Sequence, residues 1–178
     1  SLRHKDVFKQ QLRAILRAGV DSDLRIMFPM ISSVDELLEA KEEVYKSIQA
    51  LQREGIACHT KPLVGMMVEL PAVLEIIHEL AREADFFSIG TNDFIQYMLA
   101  VDRTNEKVAD LYLPHHPSIL RALKRIVDAG RESQKDVTIC GDMAHQEKYM
   151  PYLLGIGIRK LSLDPHYIPK IQKTIESI

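Results

Sequence analysis

Two rhythms of apolar residues alternate along the chain: helical faces, and short runs that are apolar throughout. The first rhythm places Val7, Phe8, Leu12, Ile15 and Leu16 on one face of a helix over residues 5–18, which Gly19 stops. Leu24–Phe28 (LRIMF) reads as a strand closed by Pro29. A long helix to about Glu54 follows, with Ser33 as N-cap, Glu36 at capping-box spacing and apolar positions Val34, Leu37, Leu38, Val44, Ile48 and Leu51. Gly55 ends it, and Ile56–Pro62, with Cys58 and His59, reads as an exposed connection.

Leu63–Glu69 (LVGMMVE) is apolar until its last residue, the mark of a strand covered on both faces. Pro71 suits the first turn of a helix over residues 72–83. Strand 85–90 comes next, with Thr91 as the expected cap of a short helix to about Ala100. After a polar connection over residues 102–115, Pro117 opens a helix through Glu132, and VTIC (residues 137–140) is a fourth strand. Helix 146–154, strand 160–163 and helix 167–176 complete the pattern. Five short apolar strands alternating with helices predict an α/β fold with a parallel sheet. A closed barrel takes about 250 residues, so an open doubly wound sheet is the alternative from pattern alone. No repeat or low-complexity tract divides the 178 residues, which are expected to form one unit.

Composition narrows the function classes. A formal net charge of -2, scattered basic residues and the absence of Trp give no footprint for nucleic acid or an anionic membrane surface. No apolar run approaches the about 20 residues of a membrane span, and SLRHKDVFKQ has no signal-peptide apolar region, so no membrane insertion is expected. The two cysteines, Cys58 and Cys140, lie far apart in unlike contexts, which points to a reducing, cytoplasmic setting.

Polar chemistry collects at the predicted strand ends: Glu69, Asn92 with Asp93, Cys140, Asp142 and Asp164. Ligands of parallel α/β sheets and barrels gather at the carboxyl ends of strands. A carboxylate there is often a helix cap or turn former. Neighbouring strands are only about 4.8 Å apart, however, so Glu69 and Asp93 on adjacent strands would reach one cation. Two hard oxygen donors with open positions suit Mg²⁺, or Mn²⁺, better than Zn²⁺. Arg103 can grip a phosphate or carboxylate bidentately, or pair with Asp102 or Glu106 at the surface. Cys140 is either a small core residue or a thiol that acts as a general acid; a nearby Asp142 would favour the neutral thiol and a metal cation the thiolate. His115 and His116 lack further zinc ligands; His145 is placed to face the site, and His4, His59, His78 and His166 read as surface or core positions. None of them stands in a setting that marks a phosphorylated histidine.

The motifs LRIMFPMI, VGMMVELPA, FFSIGTNDFIQYMLAVDR, ICGDMA and LLGIGIRKLSLDP, in this order over nearly the whole chain, resemble the phosphoenolpyruvate–protein phosphotransferases, enzyme I of the bacterial sugar phosphotransferase system. Pyruvate phosphate dikinase and phosphoenolpyruvate synthase share the pattern, and SLDP is closer to the synthase. The resemblance implies five βα units forming the C-terminal portion of a TIM (β/α)8 barrel, with residues 1–178 a partial barrel domain. Its first strands, two phosphate-binding arginines, the histidine domain and the carrier-binding domain would lie outside the chain.

It further implies that Glu69 and Asp93 ligate Mg²⁺, that Asn92, Asp93 and Arg103 form the substrate site, and that Cys140 protonates the methylene carbon on the way to pyruvate. The implied partners are phosphoenolpyruvate, the histidine-bearing domain, a phosphocarrier protein and a second copy in a homodimer. Two positions depart from the family pattern: Asp142 replaces a glutamate, and Asp164-Pro165-His166 replaces a serine-rich stretch. The rival reading is a folding and dimerisation module, inactive alone.

Overall fold

The computed structural model describes residues 5–178, so His4 lies outside the described residues. Five strands, β1 (Arg25–Phe28), β2 (Leu63–Val68), β3 (Phe86–Gly90), β4 (Asp136–Cys140) and β5 (Lys160–Leu161), alternate with helices. They pair in parallel in the order β1-β2-β3-β4-β5. A doubly wound sheet reverses its strand order part-way; this sheet never does, so it is an arc of a barrel. Arg25 of β1 donates to Asp136 of β4 at 3.0 Å, and Lys160 of β5 reaches the same carboxylate. In a flat sheet β1 and β4 would stand roughly 14 Å apart at the usual strand spacing. Curling brings these side chains together on the concave face.

The two faces of the arc differ chemically. Ile26, Phe28, Val64, Met66, Val68, Phe87, Ile89 and Ile139 point outward and are buried under the helices. Burying each of the larger of these side chains contributes about 1.5–3 kcal/mol. The concave face carries Met27, Met67, Ser88, Thr138 and Cys140, and Met27 remains exposed. Gly65 lies on this face because a Cβ there would collide with the Phe86 carbonyl and ring.

The outer layer comprises α1 (Lys5–Ala18), α2 (Val34–Arg53), α3 (Ile77–Glu83), α4 (Thr91–Leu99), α5 (Pro117–Glu132), α6 (Met150–Ile156) and α7 (Ile168–Glu176). Phe8 of α1 meets Phe28 of β1 edge-on, with ring centroids 5.7 Å apart. Leu161, Leu163, Ile168, Ile171 and Ile175 line an apolar groove of about 730 Å³ beside β5, at an edge of the arc.

Several boundaries differ from the sequence expectation, each for a local reason. The helix expected over 72–83 is split: Pro71–Ile76 is a 3-10 segment and only Ile77–Glu83 is α-helical. Leu70 offers no capping side chain, and Arg125 takes the Leu74 carbonyl at 3.0 Å. The helix expected from Gln146 begins at Met150, behind two 3-10 turns, with Pro151 in its first turn. Strand β5 stops at Leu161, although Ser162 still donates to the Ile139 carbonyl at 2.8 Å.

Val7 and Leu38, expected on buried faces, are exposed; α2 instead buries Ala40, Glu43 and Ser47 beside Leu37, Val44, Ile48 and Leu51. Ser33 caps α2 as expected, but Glu36 reaches back to Ser32 rather than to Ser33. The connection over residues 56–62 is tied down, with Cys58 half-buried against the core and the His59 N–H donating to the Leu16 carbonyl at 2.8 Å.

Candidate active site

The sheet register brings the strand-end residues together. Gly90 pairs with Cys140 across β3 and β4, and β2 delivers Glu69 one residue beyond its last paired position. A Cβ on Gly90 would lie 3.1 Å from Glu69 Oε2 and 2.7 Å from Met67 Sδ, so only glycine leaves room for the carboxylate. Glu69 is 3% exposed, and its Oε1 accepts the Met30 N–H at 2.7 Å. Met30 adopts a left-handed backbone conformation, φ +57°, and this turn at the end of β1 aims its N–H into the site.

Asp93 sits in the first turn of α4, immediately after β3. Burial first, then the charge and hydrogen-bonding reach of Asp93, push the Glu69 carboxyl above the usual carboxylate range. The structure thus brings the two predicted metal carboxylates together, in an arrangement that disfavours two bare negative charges. Their hard-oxygen chemistry fits a magnesium-like cation. No group of three or more His, Cys, Asp or Glu side chains among the described residues forms a metal cluster, so any further donors would be water, substrate or backbone oxygen.

Asn92 and Thr91 tie β3 to the end of β4. Asn92 Oδ1 accepts the Asp142 N–H at 2.8 Å, and the Thr91 hydroxyl donates to the Cys140 carbonyl at 2.7 Å. Thr91 is therefore a buried cross-strand tie; the cap position expected for it is taken by Gly90, with no side-chain cap bond. Gly141, at φ +87°, lets the chain pass this close: a Cβ there would lie 2.7 Å from Asn92 Oδ1.

Cys140 is half-buried, and its Sγ donates to the Ile89 carbonyl at 3.4 Å. The Ser88 hydroxyl points at the sulfur from 3.9 Å. Burial pushes the thiol pKa up; the Ser88 contact opposes this weakly, and the charge of Glu69 adds to the rise. The carboxylate acting on the thiol is thus Glu69 rather than Asp142. Asp142 turns instead toward Arg103, Oδ2 to Nη1 at 3.6 Å. That pair also replaces the surface partners Asp102 and Glu106; Asp102 caps the Thr104 turn instead.

Tyr112 is a site residue that the sequence pattern did not single out. It lies within the connection expected only to be polar, and its half-buried hydroxyl donates to the Asn92 carbonyl at 3.4 Å. Burial, with Asp142 and Asp93 nearby and Arg103 opposing, pushes its pKa up to about 12. The signal available in sequence was an aromatic residue in a loop that also carries Arg103.

Three of the described histidines have local partners. His116 caps α5 through the Ser118 N–H, and His145 stacks on Tyr167 with centroids 4.2 Å apart. His166 bonds to Asp164.

A one-directional parallel arc with carboxylates and a thiol at its strand ends defines the ligand end of a (β/α)8-type enzyme barrel. The chain belongs to the family of phosphoenolpyruvate-utilising enzymes: the family model described as "PEP-utilising enzyme, PEP-binding domain" matches residues 1–178. Relatives include the phosphoenolpyruvate–protein phosphotransferases of Priestia megaterium, 45% identical over 99% of this chain and 31% of that protein, and of Geobacillus stearothermophilus, 47% identical over 91% of this chain and 28% of that protein. The chain thus spans about a third of the length of these relatives. Among solved structures, a citrate lyase of Burkholderia xenovorans LB400 shares the fold with TM-score 0.67 and 23% identity, over 94% of this chain and 53% of that one. A malate synthase of Haloferax volcanii does so with TM-score 0.67 and 12% identity, over 96% and 50%. At these identities the likeness concerns the fold alone.

Proposed function

We propose that the chain is the phosphoenolpyruvate-binding, magnesium-dependent part of a phosphotransferase that passes the phosphoryl group of phosphoenolpyruvate to a protein histidine and releases pyruvate. The observation that carries this reading is the gathering of the Glu69 and Asp93 carboxylates and the Cys140 thiol at the ends of β2, β3 and β4. Glu69 and Asp93 would hold Mg²⁺, with Mn²⁺ as a substitute. An ion held there supplies positive charge against the phosphate and against the enolate oxygen left by transfer.

The chain's own residues have defined tasks in this scheme. Arg103 exchanges its loose contact with Asp142 for an anionic group of the substrate. Asn92, fixed through its Oδ1 by the Asp142 N–H, has its amide N–H₂ left to donate to the substrate. Cys140 stays protonated at neutral pH because burial raises its pKa, and it delivers that proton to the methylene carbon as the enolate becomes pyruvate. The histidine acceptor, a phosphocarrier protein, a homodimeric assembly and a cytoplasmic setting belong to the same proposal; no described helix is long and apolar enough to cross a membrane.

The reading is tested by calorimetric titration of the chain with phosphoenolpyruvate, with and without Mg²⁺. Binding is expected only with the metal, and weak, since the chain spans only about a third of the length of its relatives. Equal binding in the presence of a chelator would overturn the reading.

A further inference from the structure

Resting on the substrate site just proposed, we infer that Tyr112 is an additional substrate-binding residue, whose hydroxyl donates a hydrogen bond to an anionic oxygen of phosphoenolpyruvate beside Arg103. Three observations converge on it. The hydroxyl donates to the Asn92 carbonyl at 3.4 Å, a long bond that holds the phenol at the first turn of α4 and that its single O–H gives up for an anionic oxygen, the stronger acceptor. Asn92 is joined to Asp142, and Asp142 to Arg103, so the phenol borders the group expected to receive the anion. Tyr112 and Arg103 also lie on the one segment that joins α4 to α5.

The electrostatics agree. With its pKa raised to about 12, the phenol remains an O–H donor throughout the working range of the enzyme. A neutral donor beside a guanidinium suits a ligand that must be gripped without adding a further charge next to Asp93 and Asp142.

The test compares Tyr112→Phe with Arg103→Ala, titrating each with phosphoenolpyruvate in excess Mg²⁺ and separately with Mn²⁺ alone. The phenylalanine ring keeps the packing and removes only the donor. Phosphoenolpyruvate affinity is expected to fall about tenfold in Tyr112→Phe, while Mn²⁺ affinity and melting temperature stay unchanged. If Mn²⁺ affinity falls in parallel, Tyr112 acts only by holding the Asn92–Asp93 turn, and the proposal is overturned. Unchanged phosphoenolpyruvate affinity in Tyr112→Phe, with a loss in Arg103→Ala, overturns Tyr112 alone. Unchanged affinity in both variants overturns the substrate site itself.

Discussion

Cys140→Ser in a full-length phosphotransferase carrying this chain should bind phosphoenolpyruvate and Mg²⁺ as before, yet form pyruvate about 10²–10⁴-fold more slowly. The serine is nearly the size of the cysteine, so the Gly90–Cys140 register and the packing of β3 on β4 should survive. What changes is acidity, because an alcohol is a far weaker proton donor than a thiol. The sign of the pH dependence follows from burial. A thiol whose pKa lies above its ordinary value keeps its proton through neutrality and loses it only as pH rises past that value. Pyruvate release should therefore fall on the alkaline side in the unsubstituted enzyme, and this alkaline limb should vanish in the variant. Phosphoryl transfer to the histidine, measured separately, should be affected much less. Pyruvate release at an unchanged rate would return Cys140 to the role of a half-buried packing residue.

Glu69→Gln should separate metal binding from folding. The amide oxygen of glutamine can still accept the Met30 N–H, and its neutral head relieves the conflict with Asp93. Because the Glu69 carboxyl is pushed up in the folded state, its charged form opposes folding, so stability of the metal-free chain declines as pH rises through that raised value. A permanently neutral glutamine should make the metal-free chain at least as heat-stable at neutral pH. The same change should lower Mg²⁺ and Mn²⁺ affinity by more than the about 10–100-fold typical of losing an outer-shell partner. Thermal melts with and without Mn²⁺ read both effects. A variant that melts lower without metal, yet gains as much from Mn²⁺ as the parent chain, would contradict the assignment.

Strand identity and the alternation with helices were legible in the sequence because fully covered parallel strands read as continuous apolar runs, as LVGMMV and FFSIG do. Barrel and doubly wound sheet could not be told apart by pattern, since both use the same βα unit. The strand order and the Arg25–Asp136 contact across the arc decide between them, and both are long-range facts. Glu69, Asn92, Asp93 and Cys140 stood out by their places at strand ends, and Arg103 by its guanidinium ten residues after Asp93 and by motif resemblance; the structure gathers them at one end of the arc. Pairings between side chains were less legible. That Asp142 turns to Arg103, that Glu69 rather than Asp142 acts on the thiol, and that Tyr112 comes up under Asn92 all depend on how loops fold back over the strand ends. Helix starts near Pro71 and Pro151 were misplaced because 3-10 turns carry nearly the same apolar spacing as a first α-helical turn.

In the proposed scheme Glu69 and Asp93 hold a divalent cation against the phosphate of phosphoenolpyruvate. The most direct measurement is the phosphorus-31 relaxation of phosphoenolpyruvate with substoichiometric Mn²⁺, in the unsubstituted chain and in the Glu69→Gln, Asp93→Asn double variant. Protein-dependent broadening of the phosphate resonance is expected with the unsubstituted chain and should be absent with the double variant. Equal broadening with both proteins would contradict the claim and place the metal elsewhere.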